Sequence, residues 1–407
     1  MYIDSIHIKD FRVFADTRVR FRRPGSSRRP GLANMNVLLG NNGSGKTTLL
    51  RAIALAALGP SVADSGIFPY RLIRRTPTGG NGQPQKAMLE ARFEAHEQEG
   101  LLNGARLESM VAVQRKGDLE TLRWVLPDAD EAWDRIYTAE SQAFFFVGYG
   151  ATRRIEKREY FDESGRKASR FARAQRVQGL FDDAYSLVPL QTWLPSLRAQ
   201  NPGRFNQAVR LLNATIGADR LRFTGELDDG EYVFERRGLK VPFACLSDGY
   251  RAYLGWVADL LYHVCATCPP GKRLVENRGI VMVDEIDLHL HPAWQLTVLG
   301  TLARAFPNLQ FIATTHSPLI VGSLDRANIL VMRPGPSQSA RVTRLRASPF
   351  GLDADQVLLT DYFGLESTRA PSARDRLKEL ALKARLGDRK AARDLLTAMG
   401  GTTEKAE

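Results

Sequence analysis

The stretch MNVLLGNNGSGKTTLL, residues 35–50, decides the fold. Met35 to Leu39 is a short apolar run of the kind that becomes a strand buried on both faces. Gly40 to Thr47 then fits GxxxxGK[ST], and a helix begins at Thr47. Strand, glycine-rich turn and helix are the context this pattern requires. The glycines let successive backbone N–H groups face one point, and the helix N-terminus adds its positive end, so the turn is a phosphate cradle. In this reading Asn41, Asn42, Gly43, Ser44, Gly45, Lys46, Thr47 and Thr48 surround the phosphates. Lys46 reaches the β- and γ-phosphates, and the Thr47 hydroxyl joins a Mg²⁺ shell.

Working outward, GIVMVDE (279–285) is a second buried strand, and it ends in two carboxylates. Alone, such a pair could simply cap a turn. Downstream of a phosphate cradle, Asp284 suits Mg²⁺, and Glu285 suits polarisation of an attacking water. LSDGY (246–250) opens an amphipathic helix expected over Tyr250 to Val264. Ser247 and Asp248 are good N-cap residues, which is one reading. The other is anion binding by the Ser hydroxyl and a close backbone approach at Gly249. Another strand is expected over Gln310 to Ala313, just before TTHSP (314–318).

In this order GNNGSGKTT, LSDGY, IVMVDEIDLHLHP and TTHSP resemble the Walker A, signature, Walker B with D-loop, and switch histidine of ABC-type ATPases. The resemblance covers about residues 1–345. It implies that Ser247 and Gly249 contact the γ-phosphate of a nucleotide held by another copy, and that His316 contacts the γ-phosphate of its own. IKDFRVF (8–14), with Arg12, is similar to the start of SMC and RecF-type heads, where an early Arg lies near the nucleotide. DEIDLHLHP followed by Trp294 and Gln295 is similar to the RecF, overcoming-lysogenisation and SMC-like branch. That branch includes compact defence-operon ATPases of the Septu type and virulence-associated ATP-binding proteins, which VLLTDYFGLESTR (357–369) also resembles. The interval from Lys46 to Asp284 is longer than a transporter cassette needs and too short for SMC arms. Two departures stand out: Asp248 replaces the usual Gly, and FFFVGYGATRR (144–154) carries no Q-loop glutamine, Gln142 lying too early.

Composition agrees. The 407 residues are 43% hydrophobic and 25% charged, which is globular, and no run approaches a membrane span. MYIDSIHIKDFRVF alternates like a strand and lacks a signal-peptide block, so a cytoplasmic location is expected. Three cysteines make no disulfide framework. Cys265 and Cys268 form a lone CxxC that reads as buried thiols or, less simply, as a metal or redox pair. His289 and His291 read as a turn or as two metal ligands. The net charge of +12 favours polyanions, chiefly nucleic acid. Two basic stretches could touch phosphate, 22–29 and 153–176, the second with Tyr160, Phe161 and Phe171 interleaved. Either could equally be a solvated face.

The expected architecture is α/β: a P-loop head of ABC type with a mixed sheet, an inserted helical lobe and a helical tail. Its parts are residues 1–150 with Walker A, 151–245 as lobe and return strands, 246–345 with the remaining motifs, and 346–407 as tail. The expected chemistry is ATP hydrolysis with Mg²⁺. No guanine-recognition NKxD signature is present in the sequence. Closure of a homodimer or higher oligomer around ATP follows from the resemblance. The chain carries no nuclease signature, so a nucleic-acid-associated role in phage defence would act through a separate effector such as a nuclease. A RecF-like repair ATPase shares the mechanism. A transporter subunit is the other alternative, disfavoured by the charge and the DEIDLHLHP element.

Overall fold

The computed structural model describes residues 1–25, 31–59, 71–76, 83–97, 104–117, 119–125, 133, 145–155, 172–216 and 221–400. The chain divides into two compact units, Met1–Gly351 and Leu352–Glu407.

Two sheets build the first unit. Strands β1 (Tyr2–Phe11), β2 (Phe14–Arg20), β4 (Lys86–Glu94), β5 (Arg106–Lys116) and β6 (Leu119–Trp124) form an antiparallel sheet in the order β2-β1-β4-β5-β6. Strands β3 (Met35–Leu39), β7 (Phe146–Tyr149), β13 (Gly279–Val283), β14 (Leu309–Thr315), β15 (Ile329–Pro334) and β16 (Ala340–Thr343) form the other, in the order β16-β15-β3-β14-β13-β7. All of its neighbours run parallel except β16. Every residue of β3, β13 and β14 is buried, which is why these strands read as continuous apolar runs. In β4, buried Ala87, Leu89, Ala91 and Phe93 alternate with more exposed neighbours, as on a sheet covered on one face.

Helix α1 (Lys46–Leu58) has apolar residues on all sides, because it is enclosed by both sheets. Its Leu49, Leu50, Ile53 and Leu55 share one buried cluster with Ile6, Ile8, Leu89 and Val111 of the antiparallel sheet and Leu38, Ile280 and Ile312 of the parallel one. Two buried amides fasten the sheets together. Asn36 accepts from the backbone N–H of Arg22 (2.7 Å) and donates to the carbonyls of Arg22 (2.8 Å) and Phe311 (3.2 Å). Gln310 accepts from the N–H of Ile3 and donates to the carbonyls of Ile3 and Arg22. Leaving such groups unpaired would cost about 1–3 kcal/mol each.

Between β7 and β13 come a short parallel pair, β8 (Arg154–Ile155) with β9 (Ser186–Leu187), helices α2 (Leu190–Gln200) and α3 (Pro202–Thr215), and a three-stranded sheet, β10 (Leu221–Asp228), β11 (Glu231–Arg236) and β12 (Leu239–Pro242). Helix α4 (Asp248–Thr267) follows, starting two residues earlier and ending three later than its apolar pattern suggested. Strand β14 likewise extends past the expected Gln310 to Ala313 in both directions. Helix α5 (Val298–Ala305) buries Val298, Leu299 and Leu302 before β14. The second unit is helical: Ala354–Leu359, then α6 (Pro371–Arg385) packed on α7 (Arg389–Gly400). Pro371 stands at the first turn of α6, and the Asp388 carboxylate accepts from the N–H groups of Lys390 and Ala391 to start α7. Among the described residues no helix is long and apolar enough to cross a membrane.

Candidate nucleotide site

The turn from β3 into α1 forms a cradle with Gly43 and Gly45 at φ 75° and 101°, a region that disfavours a side chain. A Cβ on Gly45 would lie 2.5 Å from Val13 Cγ2, so the tip of the β1–β2 hairpin rests on the cradle. Lys46 Nζ donates to the carbonyls of Gly40 (2.8 Å) and Asn41 (3.2 Å) and lies 2.7 Å from His316 Nε2. Burial lowers the Lys46 pKa, with Asp284, Glu285 and Asp287 opposing it. His316 is also lowered, first by burial and then by Lys46, so its neutral ring accepts from the ammonium. Asn41, Asn42 and Gly43 are exposed, while the Ser44 hydroxyl is buried and has no hydrogen-bond partner among the described residues. A phosphate oxygen would meet that demand.

The ends of β13 and β14 meet the start of α1. Thr47 Oγ1 donates to one oxygen of Asp284 and Thr314 Oγ1 to the other, both at 2.6 Å. Thr314 Oγ1 also accepts from the Glu285 N–H at 2.7 Å, so one threonine sets both carboxylate-bearing residues. Glu285 has φ 46°, an uncommon backbone for a side-chain-bearing residue. The Thr47 and Asp284 oxygens form a hard donor pair of the kind that could hold Mg²⁺. Farther along, Thr315 Oγ1 donates to Asp287 and Ser317 Oγ to Gln295 Oε1, both at 2.6 Å, and Gln295 donates to the Leu290 carbonyl. The segment after Glu285 is thereby held to the strand that carries His316.

Ser247 is the N-cap of α4 without a side-chain cap bond. Gly249 lies against backbone: a Cβ there would be 2.6 Å from the His289 carbonyl oxygen. Ser247, Gly249 and Tyr250 line a cavity of about 390 Å³ with His289, Leu290, His291 and Trp294, and no Walker A residue lines it. Tyr250 and Tyr253 meet Trp294 edge-on. The structure thus brings Lys46, Thr47, Asp284, Glu285 and His316 together and leaves Ser247 and Gly249 at a different place.

Arg12 belongs to the hairpin tip. Its guanidinium is lowered by burial and then by Arg51, a neighbouring cation on α1. Arg51 itself donates to the Leu180 carbonyl at 2.6 Å and is lowered by burial, with Asp284 opposing. Its helical position between apolar neighbours offered no sign of this placement in the sequence.

At the start of the basic stretch 153–176, Arg153 fits neither of the two readings, phosphate contact or solvated face. Its guanidinium donates to the carbonyls of both Asp284 and Glu285. Burial pushes it down to about 10, with Asp284, Asp287 and Glu285 drawing it upward. Arg176 is likewise pushed down to about 10 by burial, and its carbonyl accepts from the Gly148 N–H. Lys157, Arg158, Tyr160, Phe161 and Phe171 lie outside the described residues, as do Gln142, Arg28 and Arg29. In the other basic stretch Arg22 is buried and Arg23 pairs with Glu94 at 2.6 Å, so the start of that loop is part of the sheet junction. Cys265 and Cys268 are buried thiols, Cys265 pushed up to about 12 by burial. The His291 ring accepts from the Ala293 N–H, a helix-start contact. Among the described residues no cluster of three or more His, Cys, Asp or Glu is gathered as for a metal.

A family model described as "AAA domain, putative AbiEii toxin, Type IV TA system" matches residues 35–322, and one described as "AAA ATPase domain" matches residues 1–57. The Septu protein PtuA of Bacillus mycoides (strain KBAB4) is 26% identical over 370 residues, covering 90% of this chain and 45% of that protein. The Retron Ec83 probable ATPase of Escherichia coli is 34% identical over 105 residues, 26% of this chain and 19% of that protein. The chain therefore spans less than half the length of these curated relatives. Among solved structures, an SMC head bound to the C-winged helix domain of ScpA aligns with a TM-score of 0.49 at 14% identity, over 85% of this chain and 98% of that one.

Proposed function

The chain belongs to the AAA-domain family whose model covers most of it, and from that premise we propose that it hydrolyses ATP as one head of an ATP-closed dimer. The observation that carries the reading is the chain of contacts Thr47–Asp284–Thr314–Glu285, beside Lys46 and His316. It joins three sequence-distant motifs at the carboxyl ends of β3, β13 and β14, where open α/β sheets bind ligands.

The cradle N–H groups and Lys46 hold the phosphates. Thr47 and Asp284 would hold Mg²⁺, which would supply neutralisation of the phosphate charge. Glu285 orients a water for attack on the γ-phosphorus and takes its proton as the bond to the ADP oxygen breaks. Lys46 and His316 stabilise the charge on the transferring group. Ser247 and Gly249, at the start of α4 and apart from the cradle, complete the γ-phosphate contacts of another copy.

Likeness to Septu and retron proteins supports a role in antiphage defence, with the head as a nucleic-acid-associated motor or sensor controlling a separate effector such as a nuclease. The surplus of +12 supports the nucleic-acid part. The test is phosphate release and sedimentation of the purified chain with Mg-ATP, alone and with duplex or single-stranded nucleic acid at two salt concentrations. ATP-dependent dimers that release phosphate, and nucleic-acid binding that weakens steeply with salt, are expected. No phosphate release in any mixture would sink the hydrolysis. Binding to no nucleic acid at low salt would remove that partner.

A further inference from the structure

We propose that Arg153 is a positioning residue for Glu285, holding the backbone turn that aims this carboxylate. The inference rests on the hydrolytic reading of the site and assigns a residue that the motifs do not name.

Arg153 Nη2 donates to the carbonyl oxygens of Asp284, at 3.1 Å, and of Glu285. These carbonyls flank the Glu285 Cα, whose φ of 46° sets the direction of its side chain. On its other side the Glu285 N–H is fixed by Thr314 Oγ1 at 2.7 Å. One threonine and one arginine therefore clamp the turn from opposite ends. Without the guanidinium the left-handed residue can relax toward ordinary φ, and its carboxylate swings with it.

The approach of Arg153 is itself constrained at both ends. Before it, a Cβ on Gly150 would lie 2.0 Å from the Gly179 carbonyl oxygen, so the chain leaving β7 is pressed on that neighbour. After it, Ile155 packs into the space left by Gly255 of α4, where a Cβ would meet Ile155 Cδ1 at 2.0 Å. Arg153 thus stands two residues from a contact with the helix that carries Ser247 at its start. No glutamine follows β7 in GYGATRR. The arginine there acts through main-chain carbonyls and forms no hydrogen bond to either carboxylate.

The test compares Arg153→Ala, Arg153→Lys and Glu285→Gln in the full chain, reading ATP Kd by calorimetry and kcat by phosphate release. Outer partners that orient reacting groups are typically worth roughly 10–100-fold in activity. Arg153→Ala is expected to lose kcat on that scale with ATP Kd unchanged, and millimolar guanidinium should restore part of it. Arg153→Lys, which keeps a charged head with several donors, should retain more kcat than Arg153→Ala. Wild-type kcat in Arg153→Ala overturns the proposal. So does a loss that appears in Kd alone, or one that neither guanidinium nor lysine recovers. Should Glu285→Gln turn over at the wild-type rate, the hydrolytic reading itself fails, a result separate from any failure of Arg153.

Discussion

The cradle and the start of α4 are both glycine-containing helix N-termini, yet they are finished differently. Around the cradle Lys46 and Asp284 are tied down within the chain, while the buried Ser44 hydroxyl is left without a partner among the described residues. Lys46 has three partners, both Asp284 oxygens are hydrogen-bonded, and one threonine serves two residues. At α4, among the described residues, Ser247 makes no side-chain cap bond and Asp248, 88% exposed, pairs with its helix neighbour Arg251. The cavity beside them is lined by Tyr250, Trp294, His289, His291 and Leu290 as well as by Ser247 and Gly249. The contrast teaches that a helix start can be a complete device or half of one. On the proposed function the first acts on the nucleotide it holds, and the second meets a nucleotide brought by another copy.

Breaking the finished half at its chemistry should have the largest effect. Glu285→Gln keeps size and hydrogen bonding but removes the group that takes the proton. A loss of roughly 10²–10⁴-fold in kcat is expected, with ATP binding intact and an ATP-bound dimer accumulating. Phosphate release and light scattering check it, and wild-type turnover would remove Glu285 from the mechanism. Breaking the other half should separate binding from assembly. Ser247→Arg puts a bulky cation at the α4 start, so each copy should still bind ATP while ATP-dependent dimerisation and turnover are lost. Dimers formed by this variant with ATP would end the shared-site reading.

Lys46→Ala should act on binding itself. A charge-assisted contact is worth about 1.5–3 kcal/mol, or on the order of tenfold to a hundredfold in affinity. Calorimetry checks it, and unchanged affinity would mean that the phosphates lie elsewhere.

The two halves were also unequally legible in sequence. The cradle and GIVMVDE read well because backbone geometry demands glycine at fixed places and central parallel strands demand unbroken apolar runs. Lys46, Thr47, Asp284, Glu285 and His316 do converge. The placement of Arg153 was not legible because charge density says nothing about direction: an arginine of a basic run turns inward where two tight glycine-mediated contacts fix the chain on either side. Arg22 was placed no better for a related reason, since the buried Gln310 that donates to its carbonyl lies 288 residues along the chain. Asp259 in α4 is a third case. No motif names it, yet it is buried and accepts from Tyr149 at the end of β7 and from the Val188 N–H, with His263 close by. Pairings across such sequence distances leave no local pattern.

The smallest expected effect sharpens the comparison at the edge of the finished half. Lys46 Nζ and His316 Nε2 are 2.7 Å apart, and a lysine ammonium can only donate. The ring must therefore be neutral, with its proton on Nδ1. Burial, and then Lys46, hold the His316 pKa below the ordinary value of about 6.5, only partly opposed by Asp287, Glu285 and Asp284. Lowering the pH protonates the ring and sets two cations against each other. Because the pKa is depressed, this happens at a lower pH than for a free histidine. Turnover should persist through pH 6.5 and then decline, by at most about tenfold per pH unit for a single group. His316→Gln keeps an acceptor that does not titrate in this range, so this acid limb should vanish while basal turnover is reduced. Profiles of kcat/KM against pH for both proteins decide the matter. A wild-type limb centred above pH 6.5, or an identical limb in His316→Gln, would show that the histidine does not sit neutral against Lys46 during turnover.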